Sequence, residues 1–185
     1  MIVTIHQPNF IPWMPFFEKI DQADVYVCLT HCQFEKNGFQ NRFNHDGKWH
    51  TMSVKKGNVP IRKKKYIDAI ENWEKIKKNL PNYEDFLSMF DHRISNNLML
   101  TNLGIIKSVL YLRNIKTEVV LDWKTHLKST ERLVDICVQY GATKYLSGIG
   151  AKDYLDESLF EKENIEVIYQ EPKNKVSLLD EVSRI

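Results

Sequence analysis

Residues 2–27, with the sequence IVTIHQPNFIPWMPFFEKIDQADVYV, decide the fold class of this chain. They open with a run rich in β-branched residues that stops at His6, and they lead into the almost wholly apolar run at residues 25–29. Four large apolar residues between the two runs have the i, i+3, i+4, i+7 spacing of one helix face and are predicted to pack on a sheet: Trp13, Phe16, Phe17 and Ile20. Strand, helix and strand within about 30 residues predict a parallel βαβ unit with a right-handed crossover.

The rest of the chain indicates a larger α/β fold built around this unit. In the last third of the chain, predicted strands alternate with predicted helices. The strands are at 117–121, 144–146 and 165–169, and the helices are at 129–140 and 151–160. In the middle, Asp46-Gly47 lies between two short extended segments, which is typical of a hairpin, and apolar stripes after it predict two or three helices. We therefore predict one α/β domain over residues 1–185, with a mostly parallel, Rossmann-like sheet and an inserted hairpin and helical subregion at residues 36–100.

Composition and charge limit the function. Of 185 residues, 43% are hydrophobic and 27% are charged, which is ordinary for a folded protein and excludes wholesale disorder. The formal net charge of +2 argues against a protein whose main task is to coat nucleic acid. Three cysteines cannot pair evenly, and no apolar run approaches the roughly 18 residues of a membrane span. We therefore expect a cytoplasmic protein with reduced thiols and no membrane-spanning segment.

Three separated blocks of sequence carry a resemblance to a known family. They are IHQPNFIPWMPFFEKIDQADVYV from residue 5, QFEKNGFQNR from residue 33 and KYLSGIGAKDYLDESLFEKENIEVIY from residue 144. In this order they resemble the WbqC-like family, bacterial proteins found in gene clusters for O-antigens and other surface glycans. The resemblance spans residues 2 to 170 and implies a role in the biosynthesis of surface polysaccharides.

The opening of the chain is also similar to that of the HIGH-type nucleotidylyltransferases. In both, a strand ends in a histidine- and proline-containing loop, and a helix and a valine-rich strand follow. The second histidine of that signature is replaced here, and no KMSKS-like loop is present. The similarity therefore indicates a nucleotidylyltransferase-like, Rossmann-like fold and does not support adenylyl transfer.

The resembled motifs lie on loops at the carboxyl ends of predicted parallel strands, where α/β proteins bind ligands. A histidine in the place of His6 either acts as a general base near neutral pH or caps the strand by bonding to backbone. The resemblance implies a set of site residues: His6, Ser147 and Asp153 as catalytic, and Gln7, Asn9, Gln33, Lys36, Asn41, Arg42, Gly148, Lys152 and Tyr154 as ligand-binding. We predict that one concave pocket, covered by the hairpin, is lined by His6, Gln7, Asn9, Gln33, Arg42, Ser147, Lys152 and Asp153.

Metal and cofactor signatures are weak in this sequence. His31, Cys32, His45 and His50 are of ligand type, but the chain has neither CxxC nor HExxH, so we expect no metal site. The loop at Ser147-Gly148 is neither a P-loop nor GxGxxG. The identity of any cofactor is left open.

Three hypotheses about function follow. The family resemblance implies an enzyme that transfers an acyl or aminoacyl group onto an activated amino sugar. The lack of a complete catalytic signature favours the alternative, a protein that binds a nucleotide-linked or phosphorylated ligand without turnover. An RNA-binding module that uses the basic residues 55–65 is disfavoured by the small net charge. The first two imply an anionic or nucleotide-linked small-molecule partner, and the oligomeric state stays open.

Overall fold

A computed structural model describes residues 1–173 and 175–182 of the chain. Its strands and α-helices are, in chain order, β1 (Ile2–His6), α1 (Met14–Asp21), β2 (Val25–Cys28), β3 (Arg42–His45), β4 (Lys48–Thr51), α2 (Ala69–Lys78), α3 (Glu84–Ser88), α4 (Leu98–Leu112), β5 (Glu118–Leu121), α5 (Ser129–Gln139), β6 (Lys144–Gly148), α6 (Glu157–Lys162), β7 (Glu166–Gln170) and α7 (Leu178–Val182). Within these residues, no helix is both long and apolar enough to cross a bilayer.

The central sheet has five strands in the order β5-β2-β1-β6-β7, and each neighbouring pair is parallel. Counted along the chain, this is the 3-2-1-4-5 order of a doubly wound fold. The α/β class with a parallel, Rossmann-like sheet is therefore confirmed, as is the βαβ unit, in which β1 pairs with β2 from Val3↔Val25 to His6↔Cys28. Strand order reverses between β1 and β6, so a crevice is expected beyond the carboxyl ends of these two strands.

Helices cover both faces of the sheet. Successive side chains of each strand point to opposite faces, so apolar side chains on both faces need a partner layer. Val3 and Val25 belong to a core cluster that includes residues of α5 and α6, whereas Tyr26 belongs to a larger cluster with α1, α2, α4 and α7. The hairpin is also confirmed, since β3 and β4 pair antiparallel around Asp46 and Gly47, which both have positive φ. Phe43 of the hairpin is buried and belongs to the larger cluster.

Two local predictions are wrong. The helix expected at residues 151–160 is replaced by one 3₁₀ turn at Ile149–Ala151 and by α6, which begins only after Asp156. Asp156 accepts a hydrogen bond from the Ser158 backbone N–H over 3.1 Å, and this cap sets the start of the helix. Trp13, expected to be buried, is 48% exposed because it precedes α1 and lies at the mouth of a cleft, whereas Phe16, Phe17 and Ile20 are buried.

Candidate functional site

A cleft occupies the edge of the sheet where strand order reverses. It consists of a large chamber of about 850 Å³ and a small chamber of about 320 Å³. The two chambers share wall residues, namely Ile5, His6, Trp13, Leu133, Tyr145 and Tyr154. Gln7, Asn9, the hairpin and residues 175–180 complete the large chamber, and Lys19, Ser147, Gly148 and Gln170 contribute to the small one. This is the position at which doubly wound α/β proteins bind their ligands.

His6 ends β1 on the wall common to both chambers. Its Nδ1 lies 2.8 Å from the Gln7 carbonyl oxygen, which can only accept a hydrogen bond, so we assign the proton to Nδ1. Nε2 is then the acceptor of the neutral ring. Burial and the nearby charge of Lys19 lower the pKa of His6 to about 3. The imidazole is therefore neutral throughout the physiological pH range.

Lys19 lies on the wall of the small chamber, and the sequence analysis did not identify it as a site residue. It lies in α1, is only 4% exposed and has no hydrogen bond or ion pair with any described residue. Burial lowers the pKa of its amine to about 8. A lysine beside Phe16 and Phe17 in an apolar helix normally extends its amine to solvent, so sequence pattern alone could not identify it.

The loop that follows His6 is held from behind by a buried polar network. Asn102, on α4 and fully buried, donates to the Pro8 carbonyl over 2.8 Å and to the Gln40 carbonyl over 2.6 Å. The Tyr66 hydroxyl donates to Asn102 Oδ1 over 2.7 Å, and Gln40 donates to the side chain of Gln7. Because every partner in this network is bonded, the loop is fixed before a ligand arrives.

The structure brings half of the predicted site residues to the cleft. His6, Gln7 and Asn9 line the large chamber, Ser147 and Gly148 line the small one, and Tyr154 lines both. These positions follow from the strand-end rule, because β1 and β6 are neighbours. All three motif blocks contribute to the cleft, because Glu35, Gly38, Phe39 and Gln40 of the second block also line the large chamber.

The other six residues lie outside the cleft wall, each for a visible reason. Gln33 donates to the Val59 carbonyl over 2.9 Å, and Asn41 is buried and donates to the Met52 carbonyl over 2.8 Å. The guanidinium of Arg42 lies over the Trp49 ring, 4.0 Å from its centre, and donates to the Asn37 carbonyl.

The remaining three residues are exposed: Lys36, Lys152 and Asp153. The Lys152 amine lies 5.9 Å from the centre of the Tyr169 ring. The predicted pocket therefore lacks the Gln33, Arg42, Lys152 and Asp153 contributions.

A second polar cluster, missed in the sequence, joins the ends of β2 and β5. Asp122 follows β5, is inaccessible to solvent and accepts from Thr30 N and Oγ1, at 2.7 and 2.8 Å, and from the guanidinium of Arg132. Its Oδ1 also lies 3.1 Å from His31 Nδ1. The strand-end rule that selected His6 applies equally to Asp122 and could have found it. Burial raises the pKa of the adjacent Cys32, so that thiol stays protonated near neutral pH.

His45, Asp46 and Asp180 form the one group of metal-ligand type that the described residues bring together. Asp180 lies 3.3 Å from His45 Nδ1, and Asp46 lies 3.6 Å from Nε2. The two carboxylates approach different nitrogens of the ring, and one ligand atom from each of the three residues lies within 4.8 Å of the others. With Ser177 Oγ 3.0 Å from Nδ1, the arrangement fits an imidazole that holds the hairpin to the segment before α7.

Comparisons with known proteins agree with the motif blocks. The model of the WbqC-like protein family matches residues 7–177. The chain belongs to the WbqC-like protein family. It is also similar to Rv1507c, an uncharacterized protein of Mycobacterium tuberculosis, with 27% identity over 186 residues that cover 90% of this chain and 80% of the relative. No solved structure shows a significant match to the chain.

Proposed function

We propose that this WbqC-like protein is a cytoplasmic transferase that moves an acyl or aminoacyl group onto the amine of an activated amino sugar during the biosynthesis of a bacterial surface polysaccharide. The observation that carries the proposal is a neutral histidine on the wall of a two-chambered cleft at the reversal point of the sheet. The sugar and the pathway come from the family resemblance. The type of reaction agrees with what a neutral imidazole can do.

His6 is the proposed proton carrier. An amine that attacks an acyl carbonyl forms a C–N bond and loses one proton, which the Nε2 lone pair of a neutral imidazole can accept. The protonated ring then returns that proton to the departing alcohol or thiol of the donor, so the histidine is regenerated. A positioned general base of this kind accelerates reactions by about 10²–10⁴-fold.

The charges of the large chamber support an amine-bearing acceptor. Among the described residues, its wall carries the carboxylates of Glu35 and Asp46 against the ammonium of Lys175, while Asp180 is engaged by His45 and by the Ser177 backbone N–H. This excess of negative charge favours a cationic or amino group over an anionic one. The volume of about 850 Å³ is within the range of small-molecule sites and accommodates a sugar together with an acyl group.

One observation favours the alternative, a protein that binds a nucleotide-linked or phosphorylated ligand without turnover. Burial and the charge of Lys19 lower the pKa of His6 to about 3, which makes the imidazole a weak base. Under this alternative, His6 Nε2 accepts a hydrogen bond from a ligand hydroxyl and never carries the proton away.

An incubation of purified protein with amino-sugar acceptors and thioester or ester acyl donors separates the two. We expect mass spectrometry to detect an N-acylated sugar with the wild type and with His92→Ala, whose histidine is exposed and outside the cleft. His6→Ala should lower turnover at least 100-fold while ligand affinity changes little. Ligand binding by the wild type with no product from any donor would refute the transferase and support the binding protein.

A further inference from the structure

We propose that the small chamber binds a carboxylate group of the ligand, with the ammonium of Lys19 as its counter-ion. The inference rests on the proposed function only in taking the cleft as the ligand site, and it does not require turnover. It names a chemical class of ligand, a sugar acid or an amino acid derivative with one free carboxylate.

The first argument is that Lys19 lacks a counter-charge. Its side chain is 4% exposed, and no described residue forms a hydrogen bond or ion pair with its amine. The side chain is buried while the amine still reaches the chamber, since Nζ is not among the fully buried polar atoms that lack a partner. Partial removal of an ammonium from water without a counter-charge costs free energy. A ligand anion in the chamber would supply the missing partner, and that free energy would then contribute to binding.

The second argument is the net charge of the chamber. No aspartate or glutamate is among its described wall residues, and the nearest titratable neighbour, His6, is neutral because its pKa is about 3. Lys152 lies outside the wall, against the ring of Tyr169. Among the described residues, the wall of the chamber therefore carries one positive charge and no negative charge.

One positive charge matches one negative charge. A phosphate monoester carries between one and two negative charges at pH 7, and a diphosphate carries at least two, so either would leave negative charge uncompensated in a buried site. A carboxylate carries one. Its two oxygens can accept from the Lys19 ammonium and from a hydroxyl at once, and the Ser147 side chain, 2% exposed, supplies such a hydroxyl on the same wall.

A single ligand then occupies both chambers, with one charged group in each. The carboxylate occupies the small chamber beside Lys19, and the amine lies in the large chamber, whose wall has an excess of carboxylates. His6, on the wall common to both, lies between the two ends. A ligand with both groups is therefore selected over one with either alone.

Calorimetric titration with three sugars of similar size tests the inference: D-glucuronate, D-glucose and glucose 6-phosphate. We expect glucuronate to bind the wild type at least tenfold more tightly than either of the others at pH 7. Lys19→Met should lose that preference, and Lys19→Arg, which keeps the charge, should retain part of it. Lys78→Met is the matched control, because Lys78 is an exposed lysine of α2 outside the cleft.

The outcomes are distinguishable from those of the transferase test. Equal affinity of Lys19→Met and wild type for glucuronate, or tighter binding of glucose 6-phosphate to the wild type, would overturn the carboxylate site even if the protein proves to be a transferase. Reduction by borohydride of a covalent adduct between Lys19 and a carbonyl probe, pyruvate, would also overturn it, since the amine would then act as a nucleophile. Lys19-dependent binding of glucuronate, together with no product from any amino-sugar acceptor and acyl donor, would support it and refute the transferase.

Discussion

The Thr4 hydroxyl donates a hydrogen bond to the Leu146 carbonyl over 2.8 Å, and both residues are buried. This contact joins β1 to β6 just before the two strands end, at His6 and Gly148 respectively. The cleft opens between those two ends. A side-chain bond therefore adds to the backbone pairing of the two strands at the point where strand order reverses.

Thr4→Val should remove this bond while keeping the shape of the side chain. The Leu146 carbonyl loses the hydroxyl that donates to it in the core, so we expect the free energy of unfolding to fall by about 1 kcal/mol. Urea denaturation followed by circular dichroism measures this change. An unchanged midpoint would mean that the strand pairing alone holds the two walls in place.

Lys19→Met should make the protein more stable at neutral pH. The pKa of Lys19 is lowered from 10.5 to about 8, so the folded state disfavours the charged amine that the unfolded state accepts freely. The stability of the wild type should accordingly rise between pH 8 and pH 10.5, by about 3 kcal/mol over the full range. The variant lacks this slope. Urea denaturation at pH 7 and pH 10 measures it, with Lys78→Met as the control.

A stabilised Lys19→Met variant would also show why this lysine is present. A residue that costs stability and is nevertheless buried in a cleft is expected where it contributes to function. If the variant is instead less stable than the wild type at pH 7, Lys19 supports the fold, and its place in the small chamber has a structural cause.

His6 should make the protein sensitive to acid. Its folded-state pKa of about 3 lies below the ordinary value of 6.5, so the unfolded chain binds a proton in this interval that the folded chain refuses. The full contribution of His6 to stability is therefore present above pH 6.5 and is lost as the pH falls toward 3, by up to about 5 kcal/mol. His6→Asn should flatten that part of the pH profile, and His92→Asn should not. Identical acid profiles for wild type and His6→Asn would show that the ring is solvated.

Much of the fold could be predicted because its signals are local. The apolar stripe of α1, the runs that became β1 and β2, and the Asp46-Gly47 turn each follow from residues close together in the chain. The order of the five strands could not be predicted, since parallel pairing depends on contacts between distant segments. The helix expected at 151–160 failed because the cap at Asp156 outweighs an apolar pattern that spans it.

The site was predictable to the extent that it follows from strand ends. His6 and Ser147 were identified in this way, and the same rule would have found Asp122 had the end of β5 been considered. Lys19 could not be found, because burial of its side chain depends on the packing of α1 against the rest of the cleft. Arg42 and Gln33 were chosen for their chemistry, and the hairpin and its neighbouring loop use that chemistry for their own hydrogen bonds.

Asp122→Asn should be the most destabilising of these substitutions. Asp122 is inaccessible to solvent and accepts hydrogen bonds from Thr30 and from the guanidinium of Arg132, whose side chain is 12% exposed. Replacing the carboxylate leaves that guanidinium charge without its partner, and breaking a buried pair in this way costs about 3–5 kcal/mol. Urea denaturation measures the loss. Asp153→Asn, at an exposed aspartate, is the control and should change stability by no more than about 0.5 kcal/mol.

The affinity of Asp122→Asn for glucuronate should fall only in proportion to the unfolded fraction, because the cluster joins the ends of β2 and β5 and lies outside both chambers. A variant that is as stable as the wild type but no longer binds the sugar acid would instead place Asp122 in the ligand site.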